Sequence, residues 1–452
     1  MSGTPQGTAA RFPDALTILV ACVIAAAVLS YIVPAGQYDR RHDPATGRTI
    51  VVAGSYHRVP ASPVGVFQTF VAIPKGLTDA APVIFLIFLA GGAFSIVDET
   101  GALRQGTIWL AGRLGNRRAL VVPIVCSVFA LGGAIDGMWE EIIALTPVLV
   151  MLARHVGFDE VTAVSMSLGA AGVGGAFSPI NPFNVGIAQK FAELPLLSGG
   201  GFRTAVMIPA VAIWTWCTMR HAVRTQSAPA STEMSPSGSL DTRHAATLLA
   251  AVATFAVYTV GAIRYDWGFD ELSALFLLLG IVAGLAGGLR VAGTTRAFVG
   301  GFRTTVYAGS LVGISRAIYV VLEQGKIVDT IIQGMVTPLM DLPKGIFALG
   351  MMVVQTAINL AVPSSTGQAA LTMPVLVPLS DLLGVSRQVT VLAFQYAPGV
   401  MAPILPTGGA VMAILALAGV RYDQWLRFAA PLCGVLFLFG MAAIAVAIAI
   451  GL

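Results

Sequence analysis

The sequence predicts an all-α integral membrane protein built as an inverted repeat, with two re-entrant helical hairpins and two broken helices. Three observations carry that prediction. First, of 452 residues 56% are hydrophobic and 11% charged, and the mean hydropathy is +0.83. About a quarter of the residues in a soluble domain carry charge. Second, Pro147-Val-Leu-Val150 followed by Gly157 returns as Pro374-Val-Leu-Val377 followed by Gly384. The offset, 374 − 147 = 227, also relates Gly172 to Gly399 and Pro179 to Pro406. Third, two apolar stretches, 119–153 and 344–383, are each interrupted halfway by a polar tip, Ile135 to Glu141 and Pro363 to Gln368.

A span needs roughly 20 apolar residues. On that criterion helices fall near 13–34, 79–97, 161–190, 204–221, 245–262, 271–289, 305–322, 388–419 and 428–450. The stretch from Pro13 to Val33 is long enough to cross and no small-residue cleavage motif ends it, so it reads as the first span rather than a secretory signal. The two interrupted stretches most economically enter, turn at mid-depth and leave on the same side. Irregular backbone is tolerated there only beside protein or a water-filled cavity.

The charges test that arrangement. Segments 98–118 (Arg104, Arg113, Arg117, Arg118), 222–243 (Arg224, Arg243) and 290–303 (Arg290, Arg296, Arg303) all fall on the cytoplasmic side only if 119–153 does not cross. The second hairpin then enters from the opposite face, which inverts the repeats. Loop 35–76, with Arg40, Arg41, Arg48, Arg58 and Lys75, falls outside against the charge rule; its pieces resemble a small extracellular β-hairpin. Upstream, Glu99 and Gly101 match Glu323 and Gly325 at a slightly different offset, 323 − 99 = 224. The first repeat with its loop and hairpin covers 1–221. A cytoplasmic Ser/Pro/Thr-rich linker follows at 222–243, then a connecting helix and loop at 244–270, and the second repeat at 271–452.

An ionisable side chain near the bilayer centre costs about 2.5 to 3.5 kcal/mol on insertion scales, so such residues mark function by default. Asp136, Glu140 and Glu141, with Gly137 between them, lie at the first tip, and Arg316 lies in span 305–322. Arg316 either forms a structural ion pair with one of these carboxylates or holds a solute carboxylate while the acidic tip takes a cationic group or a proton. The second tip reads Pro363-Ser364-Ser365-Thr366-Gly367-Gln368. Its hydroxyls either cap the following helix or, with the free N–H groups there, face an anion. The repeat sets Gln368 opposite Glu141. Each of the segments 178–184 and 402–409 places two prolines inside an apolar run, freeing backbone carbonyls. A kinked helix without a ligand is the plain alternative, but matched breaks in both halves point to a midplane site lined by Ser178, Asn181, Asn184 and Thr407. The whole is the layout of an inverted-repeat secondary transporter.

The runs 133–141 (GAIDGMWEE), 179–189 (PINPFNVGIAQ), the Ser-Ser-Thr-Gly-Gln tip and 31–38 (YIVPAGQY) resemble the YfcC-like branch of the C4-dicarboxylate anaerobic carrier family over nearly the whole chain. That family belongs with the ion-transporter superfamily. The resemblance implies an inner-membrane secondary carrier, often a homodimer, working by an elevator motion of hairpins and broken helices. Family members are described as basic amino acid antiporters or as dicarboxylate carriers. Superfamily symporters use a Ser-Asn-Thr pattern at both tips for sodium and carboxylate; Ser364, Ser365 and Thr366 are close to it, whereas Asp136, Gly137 and Met138 depart from it. Two acidic residues at the first tip would repel a dicarboxylate, so a solute with one carboxylate and a cationic end suits both poles better. A dicarboxylate or other organic anion, coupled to proton or sodium, is the alternative, and a channel a remote one.

Other classes are disfavoured. The net charge of +4 is scattered over loops and forms no basic stripe for nucleic acid. The lipid bilayer and a small-molecule solute are the partners this sequence calls for. Its four cysteines lie far apart in apolar stretches, as free thiols do. His42, His57, His155, His221 and His244 fall in loops or at helix ends without metal-ligand spacing, and no Gly-x-Ser-x-Gly elbow appears, which argues against an enzyme. No nucleotide-binding loop is present either; no cofactor is expected beyond a coupling ion, proton or sodium.

Overall fold

The computed structural model describes residues 13–43, 48–103, 105–106, 109, 115–226, 241–265 and 267–452. Most of linker 222–243, together with Arg104 and Arg113, lies outside them. Among the described residues, ten helices are long and apolar enough to cross a membrane.

Helix α1 (Ala15–Ile32) starts at Asp14, whose carboxylate accepts the Thr17 amide at 2.7 Å and so satisfies one of the free N–H groups of the first turn. Two small antiparallel ladders follow, β1 (Gly36–Gln37) with β4 (His57–Arg58) and β2 (Arg40–Asp43) with β3 (Arg48–Val51). For loop 35–76 the sequence predicts a small hairpin of the pieces at 36–39 and 48–54; 36–37 pairs instead with 57–58, while strand 48–51 does form a hairpin, but with 40–43. Asp329 ties it down, pairing with Arg40 at 3.0 Å and accepting the Tyr38 amide at 3.0 Å.

The end of that loop is not loop. Val66–Asp79 is helical (α2) and leads at once into α3 (Ala81–Glu99). The first hairpin consists of α4 (Val121–Asp136) and α5 (Glu140–Val156), turning at Gly137–Trp139 inside the polar tip. The first broken helix starts as α6, running from Glu160–Val164 through a π turn at Ser165–Gly169 to Ala170–Ala176. After the break it resumes as α7, a π turn at Pro182–Gly186 followed by Ile187–Phe191. The Ser165 carbonyl, which accepts the Ala170 amide within this π turn, also accepts from Trp214 Nε1 at 2.9 Å. Trp214 belongs to α8 (Gly200–Thr225), after which come α9 (Thr242–Tyr265) and α10 (Phe269–Ala286).

Helix α11 (Arg290–Gln324) has 35 residues, about 52 Å at 1.5 Å per residue. The sequence placed a loop at 290–303 and a span at 305–322; alanines, threonines and glycines spaced along α11 let it run unbroken against α2 and α3. A Cβ on Gly76 would lie 2.5 Å from the Gly313 carbonyl oxygen, and one on Gly301 2.3 Å from that of Gly91. Small residues at such crossings let backbones approach closely, which replaces the hydrophobic drive missing in lipid. Segment 323–343, expected as a loop, contains α12 (Val328–Val336).

The second half repeats the plan. Helices α13 (Lys344–Ala361) and α14 (Ser365–Leu382) form the second hairpin, turning at Val362–Ser364. The second broken helix is α15 (Arg387–Met401), a break through Gly408, and α16 (Gly409–Ala418); α17 (Tyr422–Ala449) closes the chain. Gly157 and Gly384, the repeated glycines, both take positive φ, 93° and 66°, just past the ends of α5 and α14, where a side chain would be strained.

The packing shows the pseudo-twofold relation directly. Helix α4 packs on α6 and α8, and its counterpart α13 packs on α15 and α17. The second arm of each hairpin lies on the far half of the other repeat's broken helix, α5 on α16 and α14 on α7. Helices α6 and α15 cross through matched residues: a Cβ on Gly172 would meet Pro403 at 3.0 Å, and one on Gly399 would meet Ala176 at 2.5 Å. Both pairs carry the offset of 227. Beside this group, α3 packs on α10 and α11, and α11 also packs on α1 and α2. All four cysteines are free.

Candidate functional site

The first tip is built by the end of α4 and the start of α5. Gly137 takes φ 71° at the turn, and a Cβ there would meet Asn181 Nδ2 at 3.1 Å. The tip therefore rests on the first break. Asn181 Nδ2 donates to the Gly133 carbonyl at 2.8 Å, and Ser178 Oγ to that of Ala134 at 2.6 Å. Ser178 Oγ also accepts the Ile180 and Asn181 amides, and Asn181 Oδ1 accepts those of Phe183 and Asn184. These two side chains are thus committed to holding the break open and against the hairpin. Asn184 differs: its Nδ2 reaches the Gly175 carbonyl at 3.5 Å and its buried Oδ1 has no partner.

Asp136, Glu140 and Glu141 lie within electrostatic reach of one another. Glu140 and Glu141 occupy the first turn of α5, where the helix dipole favours negative charge. Glu141 is 5% exposed. It stands one turn before Ala144 and Leu145, which pack against Leu86, Ala90 and Phe94 of α3 and Tyr258 of α9. All three carboxylates act electrostatically on Tyr258. Among the described residues, none of the three forms an ion pair with Lys, Arg or His.

Arg316 is not their partner. It pairs with Asp79 of α2 at 3.6 Å, lies over the Tyr319 ring at 4.9 Å, and is 43% exposed against 45% for Asp79. Of the two roles the sequence left open for Arg316, an ion pair with a tip carboxylate is not the one found: α11 lies along α2 at this level, and Asp79 is the acid it meets.

At the second tip, Ser364 is the N-cap of α14, accepting the Gly367 amide at 3.3 Å. Ser365 and Thr366 are half-buried in the first turn, and no hydrogen bond engages either hydroxyl among the described residues. Gln368 points into the hairpin. Its Nε2 donates to the Gln355 carbonyl at 2.7 Å and its Oε1 accepts from Asn359 Nδ2 at 2.9 Å. At the second break the Thr407 hydroxyl is buried and unpartnered.

Two groups escaped the sequence reading, Arg203, which is buried, and Asp79, which is half exposed. Arg203, fully buried, donates to Gln395 at 3.0 Å, to the Ser198 carbonyl at 2.7 Å and to Gln388 at 3.1 Å. Gln395 in turn donates to the Ser178 carbonyl at 2.6 Å, so Arg203 braces the first break through it. Arg203 and Asp79 sit at the ends of the spans read from sequence, 204–221 and 79–97, where a test for intramembrane charge passes over them.

The C4-dicarboxylate anaerobic carrier family matches residues 12–449. The chain belongs to that family. It is 31% identical to "Putative basic amino acid antiporter YfcC" of Escherichia coli (strain K12), covering 94% of each chain. It is 28% identical to an uncharacterized protein of Haemophilus influenzae, covering 95% of this chain and 96% of that one. Among solved structures it is similar to the Alcanivorax borkumensis YdaH transporter, with 17% identity, a TM-score of 0.46, and 97% and 99% of the two chains covered. Neisseria gonorrhoeae MtrF gives 17% identity, a TM-score of 0.41, and 96% and 95% coverage. The protein is a multi-pass membrane protein of a carrier family.

Proposed function

We propose that this family member is a secondary transporter of a small solute bearing one carboxylate and a cationic end, a basic amino acid, moved by exchange or coupled to proton or sodium. The observation that carries the reading is the group Asp136, Glu140 and Glu141, without a basic partner among the described residues. Carboxylates withdrawn from water are costly unless neutralised by a cation or a proton. An ammonium or guanidinium group supplies that charge. The solute carboxylate goes to Ser365 and Thr366, where free hydroxyls meet the N-terminal N–H groups of α14. Asn184 and Thr407, each with an unpartnered buried oxygen, offer hydrogen bonds between the poles. Arg316, committed to Asp79, is left out of solute binding. The name of the Escherichia coli relative supports this choice of solute.

The family's description favours a dicarboxylate instead. Two acidic side chains at the first tip oppose a dianion, which makes this the second reading. We place the protein in the inner membrane as a homodimer, with its N-terminus and linker 222–243 cytoplasmic and the crossed broken helices moving as an elevator. Counterflow in proteoliposomes decides the solute. Arginine, lysine or ornithine should exchange saturably, and Glu140→Gln with Glu141→Gln should abolish this; unchanged cationic uptake with loss of dicarboxylate uptake would reverse the assignment.

A further inference from the structure

Carbonyls at the two breaks are satisfied from different places. At the first, Ser178 is served by Gln395 of α15 and Gly175 by Asn184 of α7, both on the broken helices themselves. At the second, Pro403 accepts from Trp425 Nε1 at 2.8 Å and Ile404 from Tyr422 Oη at 2.6 Å, both on α17. The Thr407 carbonyl is served from elsewhere. It accepts from the hydroxyl of Ser315, on the long helix α11 that runs with α1, α2 and α3. Ser315 is buried, and the backbones meet closely there: a Cβ on Gly409 would lie 2.9 Å from Val312 Cα and 3.1 Å from Ser315 Cβ. On the same residue whose carbonyl is held, the Thr407 hydroxyl is buried and unpartnered.

We propose that Ser315 is the positioning residue of the second break, holding the Thr407 carbonyl so that α16 is tied to the long helix. The tie must release when the crossed broken helices move along α11. Thr407 lies in the irregular turn between Pro406 and the start of α16, outside either helix ladder, so its carbonyl takes its partner from a side chain. The inference rests on the transport reading above for its functional half and on geometry alone for the contact.

Hydrogen exchange on the full chain in lipid nanodiscs tests the contact without any solute. In Ser315→Ala, amides from Gly408 to Val411 should exchange about five- to tenfold faster, the change expected for one lost hydrogen bond, with those from Ser178 to Asn184 unchanged. Counterflow at saturating arginine should rise at least threefold while the half-saturating concentration stays within twofold, because the residue acts on movement and not on binding. Ser315→Thr, which keeps a hydroxyl, should return both readouts to within twofold of wild type. Should Ser315→Ala not fold, Gly409→Ala, whose methyl presses α16 off α11, must show the same local speeding of exchange. Unchanged exchange at Gly408 to Val411, or a loss of affinity as large as the change in rate, overturns the proposal. If the two glutamate variants leave arginine handling untouched, the transport assignment falls, yet the exchange result still decides the role of Ser315.

Discussion

The two hairpin tips have the same shape and opposite polar economies. In the second, buried Gln368 is bonded to Gln355 and Asn359 across the arms, and Gln355 reaches Thr372 at 2.8 Å. In the first, the repeat puts Glu141 at the matching position, with Val128 and Gly132 where the second hairpin has Gln355 and Asn359. One hairpin closes its own interior and leaves only hydroxyls at its tip. The other carries a buried carboxyl group, Glu141, that no basic side chain meets among the described residues. A duplicated scaffold can therefore carry tips of different polarity by changing the lining of one hairpin while both backbones keep their turn.

That contrast can be broken most severely at the charge. Glu140→Gln combined with Glu141→Gln should lower basic amino acid uptake at least a hundredfold, a loss of roughly 3 kcal/mol; uptake within tenfold of wild type would mean that the acidic tip does not sense the solute. Next in size is the interior of the second hairpin. Gln368→Leu takes one partner from each of Gln355, which keeps Thr372, and Asn359, which keeps the Val362 carbonyl. The buried Gln355 acceptor left unpaired costs about 1–3 kcal/mol, so thermal unfolding in detergent should shift down by a few degrees. An unshifted midpoint would erase the distinction between the two hairpins. Ser364→Ala removes the N-cap of α14 at a cost of about 1 kcal/mol, visible as faster exchange of the Gly367 amide. The smallest effect belongs to Arg316→Gln. Its pair with Asp79 is half exposed, worth about 0–1 kcal/mol, and arginine affinity should stay within twofold. A larger loss would return Arg316 to the site and give both tips a shared cation.

Much of the architecture was legible because lipid forces it. Span lengths, the matched Pro and Gly positions and the double prolines are local features; the first hairpin turns inside the polar tip read from sequence, and the second turns at the start of its tip, the rest of which is helix. The run of α11 through 290–303 was not legible, since its arginines and glycines read as loop until α3 supplies the opposing surface. The polar side chains at the breaks were found, but not their division of labour. Ser178 and Asn181 are consumed by the break itself, whereas Asn184 and Thr407 keep a free oxygen. Composition cannot separate these cases, because hydrogen-bond saturation depends on which backbone groups lie nearby.

By itself, then, the sequence determined that this chain is a membrane protein of two related halves, and that one tip is acidic and the other hydroxyl-rich; hydropathy and residue type are properties of position along the chain. Only the tertiary structure decided who faces whom. It gave Arg316 to Asp79, set Glu141 beside the α3 and α9 surface, and brought Ser315 to Thr407, 92 residues away. Charge pairing and hydrogen bonding act over a few ångströms in space, and separation in sequence carries no record of that distance.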